Sequence, residues 1–265
     1  MPEGPEVKII GEGLTKNVSS RKITNVTPLS GRYTKKDISG LEYFKPSRVL
    51  GVGVKGKLIF WIFDNNMFML NTLGMTGRWS QTRTKHARVR FDFETGDSVY
   101  FIDTRNFGTL KFVTGKLSLL KKLKTLGPDM LSEDVSDEDF CFALDKKPHW
   151  TLAKAIMTQS IICGVGNYVK AEALYRAKLS PHRLVGSLSC DDLRELNRAI
   201  KTVLRQAYNS KGASFKNYQN FDGVPGNATL EFLVYGRKYD PYDNNVIKEA
   251  TSDGRMTHWV AEVQK

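Results

Sequence analysis

The chain has 265 residues, 40% of them hydrophobic, with 40 basic against 28 acidic side chains and a net charge of +12. That hydrophobic share excludes a disordered chain, and three scattered cysteines, Cys141, Cys163 and Cys190, exclude a disulfide framework. The excess of positive charge predicts a polyanionic partner.

The opening Met1-Pro2-Glu3-Gly4-Pro5-Glu6 lacks a basic region followed by an apolar stretch, so no signal peptide is expected. No apolar run reaches membrane-spanning length. The expected location is intracellular, and the chain is not expected to be secreted. If the initiator Met is removed, Pro2 presents a free secondary amine. Such an amine can attack a sugar C1′ and form an iminium, an electron sink of the Schiff-base kind. Glu3 lies beside it for proton transfer, and Glu6 stands near a helix start as a second carboxylate. The same residues also suit a stiff, disordered leader. Val7, Ile10, Leu14 and Val18 recur at helical spacing and predict a helix over 6–18.

Strands are predicted from there to about residue 114. Segments 48–54 and 58–63 flank Lys55-Gly56-Lys57 as a hairpin. Ala87, Val89, Phe91 and Phe93 alternate with polar residues, and the turn Glu94-Thr95-Gly96-Asp97 leads into a strand at 99–102. Short strands at this spacing suggest a sandwich or barrel. From about 116 the pattern turns helical. Ser136 and Ser189 each precede an Asp by three residues, as in a capping box. Leu193, Leu196, Ile200, Val203 and Ala207 mark a long apolar stripe. Helices over 151–162 and 167–178 flank Gly164-Val165-Gly166-Asn167, with Asn167 as N-cap of the second. Beyond 228 two short strands are predicted, with a turn near Asp243-Asn244-Asn245.

The charge follows the same divisions. Residues 1–127 hold 22 basic and 10 acidic groups, and 144–183 hold seven and two. Between them, 128–143 carry six acids and no base, which reads as a solvated linker opened by Gly127-Pro128. The tail, 211–265, is neutral, with seven of each sign.

A series of motifs stands in order across nearly the whole chain. It begins with Met1-Pro2-Glu3-Gly4-Pro5-Glu6-Val7 and includes Gly56-Lys57 in a hairpin, Leu73-Gly74-Met75-Thr76-Gly77 and Asp103-Thr104-Arg105-Asn106-Phe107-Gly108. It continues through Leu126-Gly127-Pro128 and Gly164-Val165-Gly166-Asn167-Tyr168 with Ala171-Glu172, and ends in Val234-Tyr235-Gly236 and Gly254-Arg255. This set resembles the formamidopyrimidine-DNA glycosylase / endonuclease VIII family. The resemblance implies an α+β fold in three parts. These are an N-terminal β-sandwich with an N-terminal helix (1–127), a helix–two-turn–helix domain (128–227) and a C-terminal β-hairpin finger (228–265).

The resemblance also implies base-excision repair by a bifunctional DNA glycosylase/AP lyase. Pro2 would form the Schiff base, Glu3 would be the acid/base, and Glu6 would support them. Lys57 would grip a phosphate beside the lesion. β,δ-Elimination would then cut the strand on both sides. The base must first leave the stack, since C1′ is otherwise shielded. Met75 would fill the space it leaves, Phe107 would wedge beside the orphaned base, and Arg105 would hydrogen-bond that base. His86, Gly166, Asn167 and Arg255 would contact DNA, with the helix N-terminus offering N–H groups to a phosphate. The implied partner is double-stranded DNA carrying an oxidised base or an abasic site, bound by a monomer with no cofactor.

Many family members end in a zinc finger with two CxxC pairs, but Val234 through Lys265 contains no cysteine. A zincless finger without metal is therefore expected, since His258 alone cannot hold one. Tyr235, Tyr239, Tyr242, Val246, Ile247, Trp259 and Val260 are the expected glue. Gly4, in place of a leucine, resembles the endonuclease VIII side and its oxidised pyrimidines and hydantoins. The full set Met75, Arg105 and Phe107 resembles the 8-oxoguanine side, and 211–227 is long enough to form a loop over a flipped base. A damaged-DNA-binding protein without catalysis is the other reading, although Pro2, Glu3 and Lys57 are all present.

Overall fold

The computed structural model describes residues 2–213 and 232–265. They group into two compact units, one of 2–124 with 211–213, the other of 125–210 with 232–265. The helical region and the tail, given separate spans above, thus pack in one unit. The loop expected within 211–227 lies outside the described residues from 214 onward, as does the boundary at 227/228.

The first unit begins with α1 (Gly4–Val18), whose apolar stripe of Val7, Ile10, Leu14 and Val18 is buried. Eight antiparallel strands follow: β1 (Lys22–Pro28), β2 (Ser47–Lys55), β3 (Leu58–Phe63), β4 (Met67–Thr72), β5 (Gly77–Ser80), β6 (Ala87–Phe93), β7 (Ser98–Asp103) and β8 (Thr109–Thr114). Their order is β5-β7-β6-β1-β2-β3-β4-β8. β1 and β2 share only the pairs Lys22↔Arg48 and Ile23↔Ser47. The sheet turns there into two layers of four strands, the expected sandwich. The alternation in β6 sends Val89, Phe91 and Phe93 inward, onto Trp61, Phe63, Trp79, Phe101 and Phe112. The Trp61 and Trp79 rings lie 5.0 Å apart. Such aromatic pairs add about 0.5–1.5 kcal/mol each beyond their burial. The short α2 (Arg32–Lys35) and basic α3 (Lys116–Lys124) lie outside the sheet order.

The second unit holds α4 (Asp137–Asp145), α5 (Leu152–Met157), α6 (Asn167–Arg176), α7 (Cys190–Asn209), β9 (Ile247–Ala250) and β10 (Met256–Trp259). Ser136 and Ser189 cap α4 and α7 as expected. Residues 128–162 depart from expectation in two places. The acidic stretch is not a linker, because Phe140, Ala143 and Leu144 of α4 are buried while its acids face outward or find partners. Asp137 accepts from Asn197 Nδ2 at 2.7 Å, and Asp129 accepts from the backbone of Leu131 at 3.0 Å. The helix predicted over 151–162 stops at Met157. Gln159 braces the following loop instead, accepting from Gly164 N at 3.1 Å and donating to Val165 O at 3.0 Å.

In the tail, the turn at 243–245 precedes β9, and the two strands are joined by 251–255. Tyr239 and Tyr242 are 57% and 80% exposed, so they are not glue. The apolar cluster is Val234, Val246 and Val260 with Tyr235, packed on Ala171 and Tyr175 of α6. A carboxylate holds the exposed knuckle. Asp240 accepts from Tyr242 N (2.8 Å), Asn244 N (2.9 Å), Asn244 Nδ2 (2.9 Å) and the Tyr175 hydroxyl (2.9 Å). Burial pushes its carboxyl up, but these donors outweigh burial and hold it below the usual carboxylate range.

Replacing Asp240 by Ala strands several donors and is expected to cost about 3 kcal/mol at neutral pH. A carboxyl with a lowered folded pKa stabilises fully above its unfolded value, about 4, and loses this contribution as pH falls through the folded value. Thermal unfolding of wild type and D240A from pH 7 downward is expected to show the gap narrowing below about pH 4. A gap that stays constant across this range would refute the assignment.

Candidate active site and nucleic-acid interface

Pro2, Glu3 and Glu6 are all buried at the start of α1. Glu6 Oε2 accepts from Glu3 N at 2.9 Å, the returning arm of a capping box. Its other oxygen accepts from Ala213 N at 2.8 Å. One carboxylate thus ties the first turn to a segment far along the chain, and the helix N-terminus favours its charge.

α1 lies closely on β2. The Thr15 hydroxyl donates to Val52 O at 3.2 Å, and a Cβ on Gly11 would meet Val54 Cγ2 at 2.3 Å. Going back four helical residues, about 6 Å, therefore advances two strand residues, about 7 Å. Two more such steps bring Glu3 level with the β2–β3 turn, where Lys55 pairs with Leu58 across Gly56-Lys57. Pro2, Glu3, Glu6 and the half-buried Lys57 share one end of the first unit.

Met75, Arg105 and Phe107 sit on two loops joined by a buried carboxylate. Asp103 Oδ2 accepts from Gly108 N at 2.7 Å, and its Oδ1 accepts from the Thr76 hydroxyl at 2.5 Å. Thr76 Oγ1 in turn accepts from Arg105 N at 2.9 Å. Gly74 has φ 60°, and a Cβ there would strike the backbone of Phe107 and Gly108 at 2.7 Å. Only glycine permits this approach of the two loops. Arg88 Nε donates to Asp103 O at 2.6 Å, and the Tyr33 hydroxyl donates to Gly108 O at 2.8 Å. Met75 and Phe107 are left 36% and 53% exposed. The Arg105 guanidinium lies 5.0 Å from the Phe107 ring centroid. Asn106 between them has φ 60°, so the backbone turns sharply there. His86 lies at the same edge, its carbonyl accepting from Asp103 N at 3.0 Å.

In the second unit Gly166, not Asn167, is the N-cap of α6. Asn167 is the first helical residue, and its Nδ2 donates to Met256 O at 2.8 Å. That bond uses one of two N–H groups and attaches α6 to the residue after Arg255. A buried pair makes a second attachment, with Lys170 Nζ 2.7 Å from Asp253 Oδ2 and side-chain exposures of 0% and 4%. Glu172, also buried, accepts from the backbone N–H groups of Leu233, Val234 and Tyr235 at 2.9, 2.9 and 2.8 Å. Arg255 is exposed on the β9–β10 turn beside Gly254. Gly166, Asn167 and Arg255 therefore belong to one local assembly, and the other eight predicted residues belong to the first unit.

Among the described residues no three His, Cys, Asp or Glu side chains group as a metal site. His258 is buried, and burial lowers its imidazole pKa, helped by Lys248 and Lys170. Sequence reasoning singled out neither Asp103, Thr76, Lys170, Asp253 nor Glu172 as positioning groups. Asp103 was visible as an acid at a strand end before a turn, a position where carboxylates collect backbone N–H groups.

Family models match the chain in three consecutive parts. They are the formamidopyrimidine-DNA glycosylase N-terminal domain over residues 1–110, H2TH domain over 126–219 and C-terminal domain over 224–265. The formamidopyrimidine-DNA glycosylases of Shouchella clausii and Heliobacterium modesticaldum are each 30% identical, aligned over all of this chain and over 99% and 100% of theirs. The crystal structure of the MutM (Fpg) protein of Thermus thermophilus superposes with a TM-score of 0.88 at 29% identity, covering 99% of this chain and 98% of that one. A Lactococcus lactis Fpg mutant, solved with DNA containing Fapy-dG, shares the fold with a TM-score of 0.87 at 23% identity over the full length of both chains. With three successive domains matched and relatives aligned end to end, the chain belongs to the formamidopyrimidine-DNA glycosylase family of DNA-repair enzymes.

Proposed function

We propose that this chain is a bifunctional DNA glycosylase/AP lyase that removes oxidised bases through the amine of Pro2. Loss of Met1 frees that amine. Its nitrogen attacks C1′ of the flipped nucleotide, the C1′–base bond breaks, and the base leaves with a proton that Glu3 can relay. The C1′–O4′ bond then opens, with O4′ taking up a proton, to leave the iminium. Loss of a C2′ proton breaks the C3′–O bond, and loss of a C4′ proton breaks the C5′–O bond, by β- and δ-elimination. Water finally hydrolyses the iminium and restores the amine. Lys57 binds a phosphate next to the lesion, and Asn167 with Arg255 binds others by position rather than bulk charge. Gly166 lets the backbone approach, and His86 adds a contact. Met75, Arg105 and Phe107 occupy the space in the duplex.

The observation that carries this reading is the Glu6 carboxylate bound to Glu3 N at 2.9 Å, which fixes an N-terminus that would otherwise fray. No zinc takes part, because Asp240 and the Val234, Val246 and Val260 cluster organise the tail. Oxidised pyrimidines and hydantoins are the favoured lesions, on the strength of Gly4. A binding protein without catalysis is the competing function.

One experiment separates these readings. The mature protein is incubated with duplexes carrying thymine glycol, guanidinohydantoin or 8-oxoguanine, with and without borohydride. Excision is expected to be fastest for the first two, with a covalent adduct that Pro2→Gly abolishes. An adduct unchanged by Pro2→Gly would remove Pro2 from the mechanism, and binding without adduct or excision would establish the competing function. A preference for 8-oxoguanine would reverse the lesion assignment alone.

Asp103→Asn supplies a second test. It weakens the junction between the Met75 and Phe107 loops without touching the chemistry. Misplacement of about 1 Å can cost roughly 10²-fold in rate. Excision from duplex DNA is expected to fall by about that factor, while incision of an abasic site in single-stranded DNA changes little. Equal losses on both substrates would show that the junction does not act through the duplex.

A further inference from the structure

We propose that Lys147, Trp150 and Lys154 form an additional contact with the DNA phosphate backbone, continuous with the turn that carries Arg255. The inference rests on the DNA-repair reading above and extends its footprint. The Trp150 ring faces two ammonium groups, with Lys147 Nζ 5.0 Å and Lys154 Nζ 4.2 Å from its centroid. One cation suffices to satisfy an indole face. Two on one ring repel each other, and among the described residues no carboxylate forms an ion pair with either. An anion between or beside them relieves that repulsion. Elsewhere in the unit the surface cations Arg194 and Arg198 are paired with Asp191 and Glu195, at 3.0 and 3.7 Å.

The local backbone holds the cluster in place. Trp150 N donates to Lys147 O at 3.0 Å, and Val185 N donates to Trp150 O at 2.9 Å. Thr151 Oγ1 accepts from Lys154 N at 3.4 Å. The same hydroxyl is hydrogen-bonded to the hydroxyl of Ser252. Ser252 opens the β9–β10 turn, three residues before Arg255. The lysine pair and Arg255 are thus joined through one threonine. Lysine is a costly residue to order because of its long flexible stem. Here the indole has already ordered two of them, which lowers the entropy cost of binding a phosphate. The placement also supplies what the tail lacks. Residues 211–265 carry no net charge, so positive potential around Arg255 must come from a neighbour.

The test is the salt dependence of binding to a duplex with a non-cleavable abasic-site analogue. Each neutralised phosphate contributes about 0.9 to the slope of log affinity against log salt. The double variant Lys147→Ala/Lys154→Ala is expected to lower the slope by about 0.9 if the two lysines share one phosphate and by about 1.8 if each neutralises its own. Lys147→Arg/Lys154→Arg is expected to retain the wild-type slope. Arg194→Ala/Arg198→Ala removes the same formal charge from compensated positions and is expected to leave the slope unchanged. A lysine-to-alanine variant with the wild-type slope, or a loss equal to that of the arginine control, would overturn the proposal. If the wild-type protein binds this duplex but excises no base from duplexes carrying thymine glycol, guanidinohydantoin or 8-oxoguanine, the catalytic reading fails, and the slope comparison still decides the lysine contact.

Discussion

A chain terminus is ordinarily the loosest part of a protein, and here chemistry is assigned to it. The constraint that makes this workable is Glu6. Its buried carboxylate receives the Glu3 amide on one oxygen and the Ala213 amide on the other. Burying a charge is costly unless hydrogen bonds and a favourable field offset it. Two backbone donors and the positive end of α1 provide that offset. The first turn is then fixed to α1, and α1 is fixed to β2 by the contact between Gly11 and Val54. The amine, the two carboxylates and the Lys57 turn acquire defined places along one structural line. Holding reactants in this way can replace a large part of an entropic barrier.

Position also dominates in the second unit. The tail has no net charge to attract DNA, and it has no cysteine to hold a metal. Its geometry comes from buried polar contacts instead: Glu172 on three successive amides, Asp240 on the knuckle, and Lys170 on Asp253. Buried ion pairs contribute little net stability against an apolar alternative, but losing one partner is expensive. They are therefore well suited to holding a turn in one conformation. The turn they hold presents Arg255, and Asn167 contacts the residue beside it.

The parts of the fold legible in the sequence are those set by local periodicity. The α1 stripe, the β6 alternation, the β2–β3 hairpin and the serine caps of α4 and α7 each depend on residues within one or two turns. The contacts that assemble the site do not. Asp103 joins loops nearly thirty residues apart through Thr76 and Arg105, and Asp240 receives the hydroxyl of Tyr175 from a distant helix. No spacing rule reports such partners. The acidic stretch misled because its six like charges dominate any composition average, although the buried Met130, Val135, Phe140 and Ala143 set its fate. Tyr239 and Tyr242 misled for the opposite reason: their aromatic character suggested a core, while the organising group beside them is a carboxylate.

The central claim is that the α-nitrogen of residue 2 is the nucleophile. The direct measurement is mass spectrometry of the peptide that carries the sugar after borohydride reduction of the mature protein with abasic-site DNA. The predicted result is a chain beginning at Pro2, with the reduced sugar on its nitrogen. A sugar attached to Nζ of Lys57 or any other lysine, or a reactive chain that retains Met1, would contradict the assignment.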